Sequence, residues 1–113
     1  MTVRRCLPWP HPVLRTPAAD VPAITDEVRN LWADMIDTMD AMPGYGLAAV
    51  QIGVPLRLAV VDCSDARGQA VRMANPEILH ASVQLREHEE ASPNLPGVPA
   101  VIQRPRAVTV RFL

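Results

Sequence analysis

Gly44-Tyr45-Gly46-Leu47-Ala48-Ala49-Val50-Gln51 runs into Ile52-Gly53-Val54-Pro55 and then into a strand-like stretch from Leu56 to Asp62. The first segment combines two glycines, an apolar run and a single glutamine. An amide in apolar surroundings must find hydrogen-bond partners or it costs about 1–3 kcal/mol. Gln51 therefore demands an explanation, and a bound substrate is one candidate partner.

Upstream, Thr25 to Met42 carries the clearest helical signal. Thr25 suits an N-cap, and Asp26 and Glu27 place negative charge in the first turn. Val28, Leu31, Trp32, Met35, Ile36, Met39 and Met42 recur at steps of three and four, which builds one apolar stripe. The methionines on it read as core filling, and Pro43-Gly44 should end the helix. Before it, the proline-rich residues 7–24 should be extended and wrap a surface. His11, between Pro10 and Pro12, has a restricted backbone and reads as an exposed histidine.

Downstream, Arg57 to Asp62 is β-branched and apolar and reads as a strand. Gln69 to Ala74 and Glu77 to Glu87 follow as further strands, separated by the turn signal Asn75-Pro76. Ala107 to Leu113 alternates, with Val108, Val110 and Phe112 on one face and Thr109 and Arg111 on the other. One N-terminal amphipathic helix packed on antiparallel strands indicates an α+β fold, with residues 1–113 forming a single domain.

Composition narrows the function classes. Hydrophobic residues make up 49% of the 113 and charged residues 20%, enough for a packed core and too apolar for global disorder. Eleven basic and twelve acidic side chains give a net charge of −1, which argues against nucleic-acid binding or an anionic-membrane surface. No apolar run reaches membrane-spanning length, and the basic N-terminus lacks the apolar stretch of a secretory signal. Cys6 and Cys63 are too few for a disulfide scaffold. They read as reduced thiols in a cytoplasmic protein, Cys63 as a buried structural thiol beside Asp62.

The stretch from Gly44 to Gln51 resembles the first motif of the peptide deformylases, Gly-x-Gly-Leu-Ala-Ala-x-Gln. Those enzymes remove the formyl group from the starting methionine of new bacterial proteins. The resemblance extends over nearly the whole chain. Leu7-Pro8-Trp9-Pro10-His11-Pro12-Val13-Leu14-Arg15 is similar to the family's opening loop, residues 25–42 to its first helix, and Asn75-Pro76-Glu77-Ile78 to one of its strand starts. Leu95-Pro96-Gly97-Val98 and Arg104-Pro105-Arg106-Ala107-Val108-Thr109-Val110 resemble the stretch on the C-terminal side of its second motif.

The resemblance implies a mechanism. A divalent iron or zinc ion, held by one cysteine and two histidines, lowers the pKa of a bound water that attacks the formyl carbon. A glutamate moves the proton, and an oxyanion hole stabilises the developing charge. Gln51 matches the family glutamine whose side-chain amide donates to the oxyanion. Gly46 matches the glycine whose backbone approaches the substrate, where no Cβ obstructs it. Tyr45 falls where an apolar residue near the methionine pocket is usual. Glu90 and Arg104 fall where an acidic and a basic residue lie near the site, and they read equally as an ordinary ion pair.

The second motif, Glu-Gly-Cys-Leu-Ser, is replaced by Glu90-Ala91-Ser92-Pro93-Asn94. Ser92 stands in the place of the metal-binding cysteine, and an unactivated hydroxyl is a far poorer ligand than a thiolate. Pro93 stands where a leucine offers its backbone N–H to the oxyanion, and proline has none to give. The third motif, His-Glu-x-x-His on a late helix, has no counterpart between Met1 and Leu113. His88-Glu89-Glu90-Ala91-Ser92 begins like it, but Ser92 stands where the second histidine belongs, and a strand and loop are expected there.

His80 and His88 should lie at an even spacing on one strand as solvated residues, and Arg104 and Arg106 should form a solvated basic turn around Pro105. The expectation is a truncated, degenerate deformylase-like pseudoenzyme, without its metal-site helix and with no cofactor of its own. It could bind nascent formyl-methionyl peptides through a vestigial groove. It could also self-associate, or bind another protein over an uncovered sheet face.

Overall fold

Thr25 caps the helix as its sequence directs: its hydroxyl accepts from the Val28 N–H at 3.3 Å, and α1 runs over Asp26–Ala41. A computed structural model describes residues 2–42 and 44–113, with the side chain of Pro96 also outside the description. The expected stop at Pro43 therefore lies outside the described residues. Beside it, the Gly44 N–H donates to the Met39 carbonyl at 2.8 Å.

The apolar stripe of α1 packs on a three-stranded antiparallel sheet of β1 (Gly46–Ala48), β2 (Leu58–Val61) and β3 (Val71–Ala74), in the order β1-β2-β3. Gly46 pairs with Val61, and Leu58 with Ala74. Trp32, Met35 and Met39 from the helix meet Leu47, Leu58 and Val60 from the sheet, all buried. Each such side chain contributes about 1.5–3 kcal/mol by leaving water. The Trp32 indole N–H donates to the Met73 carbonyl at 3.2 Å and ties α1 to β3.

The proline-rich N-terminal segment wraps this unit, as expected, and contains one 3-10 turn over Pro12–Arg15. Arg4 pairs with Asp34 on α1 at 2.7 Å, and the Leu7 N–H donates to the Gln51 carbonyl at 2.9 Å. Asn75 clamps Val21 from both sides: Oδ1 accepts from the Val21 N–H (2.7 Å) and Nδ2 donates to its carbonyl (2.8 Å). Asn75 sits at φ +52°, a region that asparagine tolerates better than most residues.

The C-terminal half differs from its sequence reading in two places. Residues 77–87 do not form one strand. β4 (Glu77–Ala81) pairs with β7 (Val108–Arg111), whereas β5 (Leu85–Ser92) pairs with β6 (Leu95–Pro105). The break falls at Ser82, whose hydroxyl donates to the Gln84 carbonyl (2.8 Å) and accepts from the Ala107 N–H (3.0 Å). His80 and His88 consequently lie on strands of different sheets.

The other difference is β6, whose prolines read as turn signals. Among the described residues β6 has a strand partner on one side only, and prolines are tolerated on such edge strands. Ile78, Leu79, Val101, Val108 and Phe112 of this half are exposed. No described helix is long and apolar enough to cross a membrane.

Asp62, at the end of β2, is the most buried carboxylate of the described residues, at 2% exposure. It accepts from the Ser64 hydroxyl, from the Ser64 N–H at 2.9 Å and from the Gln69 N–H at 3.1 Å. These bonds, the Ser64 hydroxyl foremost, hold its carboxyl below the usual range against the opposing effect of burial. A folded-state pKa below the unfolded value of about 3.9 makes the stabilisation complete above that pH. It is lost as pH falls through the folded value. Urea midpoints should therefore drop below about pH 4, and Asp62→Asn should lower the neutral-pH midpoint while flattening the acid limb. An Asp62→Asn acid limb parallel to the wild type would contradict this role.

Candidate functional site

A cavity of about 730 Å³ opens between the loop leading into β1 and the end of β5. Met42, Gly44, Tyr45 and Gly46 line one wall, and residues 88–93 line the other. The size falls within the range of small-ligand pockets. Both walls are strand edges: among the described residues β1 is bonded only to β2, and β5 only to β6. The first wall is anchored from behind, because the Asp62 N–H donates to the Tyr45 carbonyl at 2.8 Å. Tyr45 itself is 72% exposed. A Cβ built on Gly46 would meet only the Val60 carbonyl at 3.5 Å and Val61 at 3.9 Å, both ordinary contacts.

The second wall carries charge. Arg104 clasps Glu90 bidentately, Nε to Oε2 at 2.9 Å and Nη2 to Oε1 at 3.0 Å, and His88 contacts the same carboxylate. The Arg104 guanidinium, with His88 second, holds the Glu90 carboxyl below its ordinary range, and Glu90 raises Arg104 in turn. Arg104 thus lies on β6 in an ion pair, not in a free basic turn. The pair is largely exposed, where such contacts contribute little stability.

Beyond Glu90 the strand turns through Pro93 and Asn94, and Ser92 faces Leu95 across the turn. Asn94 is 5% exposed and fully bonded. Its Nδ2 donates to the Leu7 carbonyl (2.7 Å) and to the Gln51 carbonyl (2.9 Å). Its Oδ1 accepts from Gln51 Nε2 (2.7 Å) and from the Ser92 hydroxyl (3.3 Å). Two carbonyls can face only an NH2 group, so this pattern fixes which way the Asn94 amide points. That in turn sets Gln51, whose Oε1 accepts from the Ala48 N–H at 2.9 Å.

The sequence-predicted residues therefore divide. Tyr45, Gly46, Glu90, Ser92 and Pro93 converge on the cavity, and Arg104 reaches it through Glu90. Gln51 is not among the lining residues; it sits behind the wall, where the Ala48 N–H and Asn94 Oδ1 bond its side chain. Asn94 escaped the sequence reading. Two signals pointed to it: an apolar-flanked glutamine in need of a partner, and an asparagine after proline, a turn pair.

The iron or zinc of the family mechanism does not fit the residues present. Ser92 offers a hydroxyl already shared with Asn94, and His88 is engaged by Glu90. Among the described residues, no three His, Cys, Asp or Glu side chains come together as metal ligands. Neither cysteine lines the cavity. Cys63 is exposed, contrary to the buried thiol expected. Cys6 contacts the Met42 sulfur at 3.9 Å, and burial pushes its thiol pKa up.

Known proteins share this architecture. A sequence model of the polypeptide deformylase family matches residues 3–113. A peptide deformylase-like protein of Bradyrhizobium diazoefficiens is 43% identical over 112 residues, which is 99% of this chain and 65% of that protein. A peptide deformylase of Phenylobacterium zucineum is 41% identical, over 100% of this chain and 68% of that protein. The crystal structure of a peptide deformylase from Legionella pneumophila aligns with a TM-score of 0.92 at 37% identity, over 98% of this chain and 65% of its own. The chain spans about 65% of the length of the first of these relatives. Over residues 3–113, this chain belongs to the polypeptide deformylase family.

Proposed function

We propose that this chain binds an extended peptide, of the formyl-methionyl class, in the cavity between β1 and β5 and does not hydrolyse it. The observation that carries this reading is the pairing of two open strand edges across one cavity lined by Ser92 and Pro93, which by resemblance stand in the place of the family's cysteine and leucine. An extended peptide adds to such edges through main-chain hydrogen bonds, with side chains entering flanking pockets. Gly46 leaves its edge open to close backbone approach.

The chemistry is what fails. Water becomes a nucleophile near neutral pH when a metal lowers its pKa, and Ser92 cannot replace a thiolate in holding one. Pro93 removes an oxyanion donor, and loss of one such donor costs about 2.7–4 kcal/mol, or roughly a hundred- to thousandfold in rate. Ser92 ends β5 and Pro93 opens the hairpin turn that follows it. The reading of a deformylase-derived pseudoenzyme rests on them. A partner-binding module would instead use the exposed apolar side chains of β4 and β7. The cavity is favoured because Gly46 and both strand edges meet there.

Calorimetric titration with a formyl-Met-Ala-Ser peptide tests the proposal. Saturable binding is expected, with the peptide recovered intact. No binding, or a deformylated product, would overturn it.

A further inference from the structure

We propose that Asn94 is the positioning residue that ties Gln51 to Ser92 and so holds the Ser92 wall of the cavity. The inference rests on the peptide-binding reading and adds a residue to that site. Gln51 has two amide hydrogens and a carbonyl oxygen to satisfy. The Ala48 N–H takes the oxygen, and Asn94 takes one hydrogen together with the Gln51 backbone carbonyl. Among the described residues, the second Nε2 hydrogen has no partner. The same Asn94 oxygen accepts from the Ser92 hydroxyl, and Ser92 lines the cavity. Gln51 thus stands one hydrogen-bonded residue behind the wall.

The anchor is rigid. Asn94 is also bound to the Leu7 carbonyl, and its own carbonyl accepts from the Trp9 N–H at 2.7 Å. The N-terminal segment, the turn carrying Gln51 and the β5–β6 hairpin therefore share one amide. In such a network a partner's effect passes through its neighbour, so substitutions at the two positions should not add.

The test is a double-mutant cycle read by peptide affinity, with hydrogen exchange of the Gln51 side-chain amide as a second readout. Wild type, Asn94→Ser, Gln51→Leu and the double variant are titrated with formyl-Met-Ala-Ser, and urea midpoints establish folding. Each single variant is expected to weaken binding about tenfold, because each loosens the anchor behind the Ser92 wall, and the double variant no further. The Gln51 amide should exchange slowly in the wild type and fast in Asn94→Ser. If Asn94→Ser does not fold, Ser92→Ala carries the affinity readout: it removes the hydroxyl that joins Asn94 to the cavity wall and leaves the Asn94 bonds to Leu7 and Gln51 in place, and unchanged affinity in it would overturn the proposal. Additive losses, or unchanged affinity in Asn94→Ser, would overturn the proposal. A wild type that binds no peptide refutes the peptide reading instead, and amide exchange then decides the Asn94 contact by itself.

Discussion

Truncating Met39 to alanine is expected to lower the unfolding free energy by about 2–5 kcal/mol. Met39 is fully buried at 0% exposure, at the centre of the contact between α1 and the β1-β2-β3 sheet. Removing its thioether arm leaves a cavity that Trp32, Leu47 and Val60 cannot close without leaving their own contacts. Domains of this kind have a total stability of about 5–15 kcal/mol, so the substitution removes a large share of it. Met42, half-buried at the helix end, should cost distinctly less when truncated. Urea unfolding followed by circular dichroism measures both. A loss under about 1 kcal/mol at Met39 would contradict its place in the core.

The α1 unit was legible in the sequence because its signals agree. Thr25 caps, the apolar residues repeat at helical spacing, and Leu58 to Val61 forms the buried strand beneath. The hairpin was not legible, for a physical reason. In β5 and β6 most side chains are exposed, so no apolar alternation marks them, and the prolines of β6 imitate loop composition. Glu77 to Glu87 read as one strand because the break at Ser82 rests on hydroxyl bonds to Gln84 and Ala107, which no periodicity reveals.

The site divided the same way. Gly46, Tyr45 and Glu90, which line the cavity, were singled out by motif position, since each lies on a segment whose residue order is itself the signal. Asn94 was missed because its importance comes from residues distant in the chain, Leu7 and Gln51, that only the fold brings to it.

The second large effect is expected on binding, not on stability. Gly46→Leu should weaken formyl-methionyl peptide binding at least about tenfold, or 1.4 kcal/mol. A Cβ at this position meets only the Val60 carbonyl and Val61 at ordinary distances, so the strand accepts it. Gly46 lines the cavity, so a leucine there adds bulk to that wall. It would block close approach of a ligand backbone to the β1 edge. The urea midpoint should stay near the wild-type value, since β1 gains a residue with better strand propensity than glycine. Unchanged affinity in a folded Gly46→Leu protein would remove the β1 edge from the binding site. Lost affinity with a collapsed urea midpoint would assign Gly46 a structural role.

The central claim is that the groove persists while the hydrolytic chemistry has gone, and formate release measures that directly. The 113-residue protein, supplied in turn with ferrous iron and with zinc, is incubated with a formyl-Met-Ala-Ser peptide at a concentration that saturates binding. The account predicts formate at the level of the metal-only control, with the bound peptide still formylated. Formate accumulating over many turnovers, abolished by a chelator and restored by metal, would contradict it.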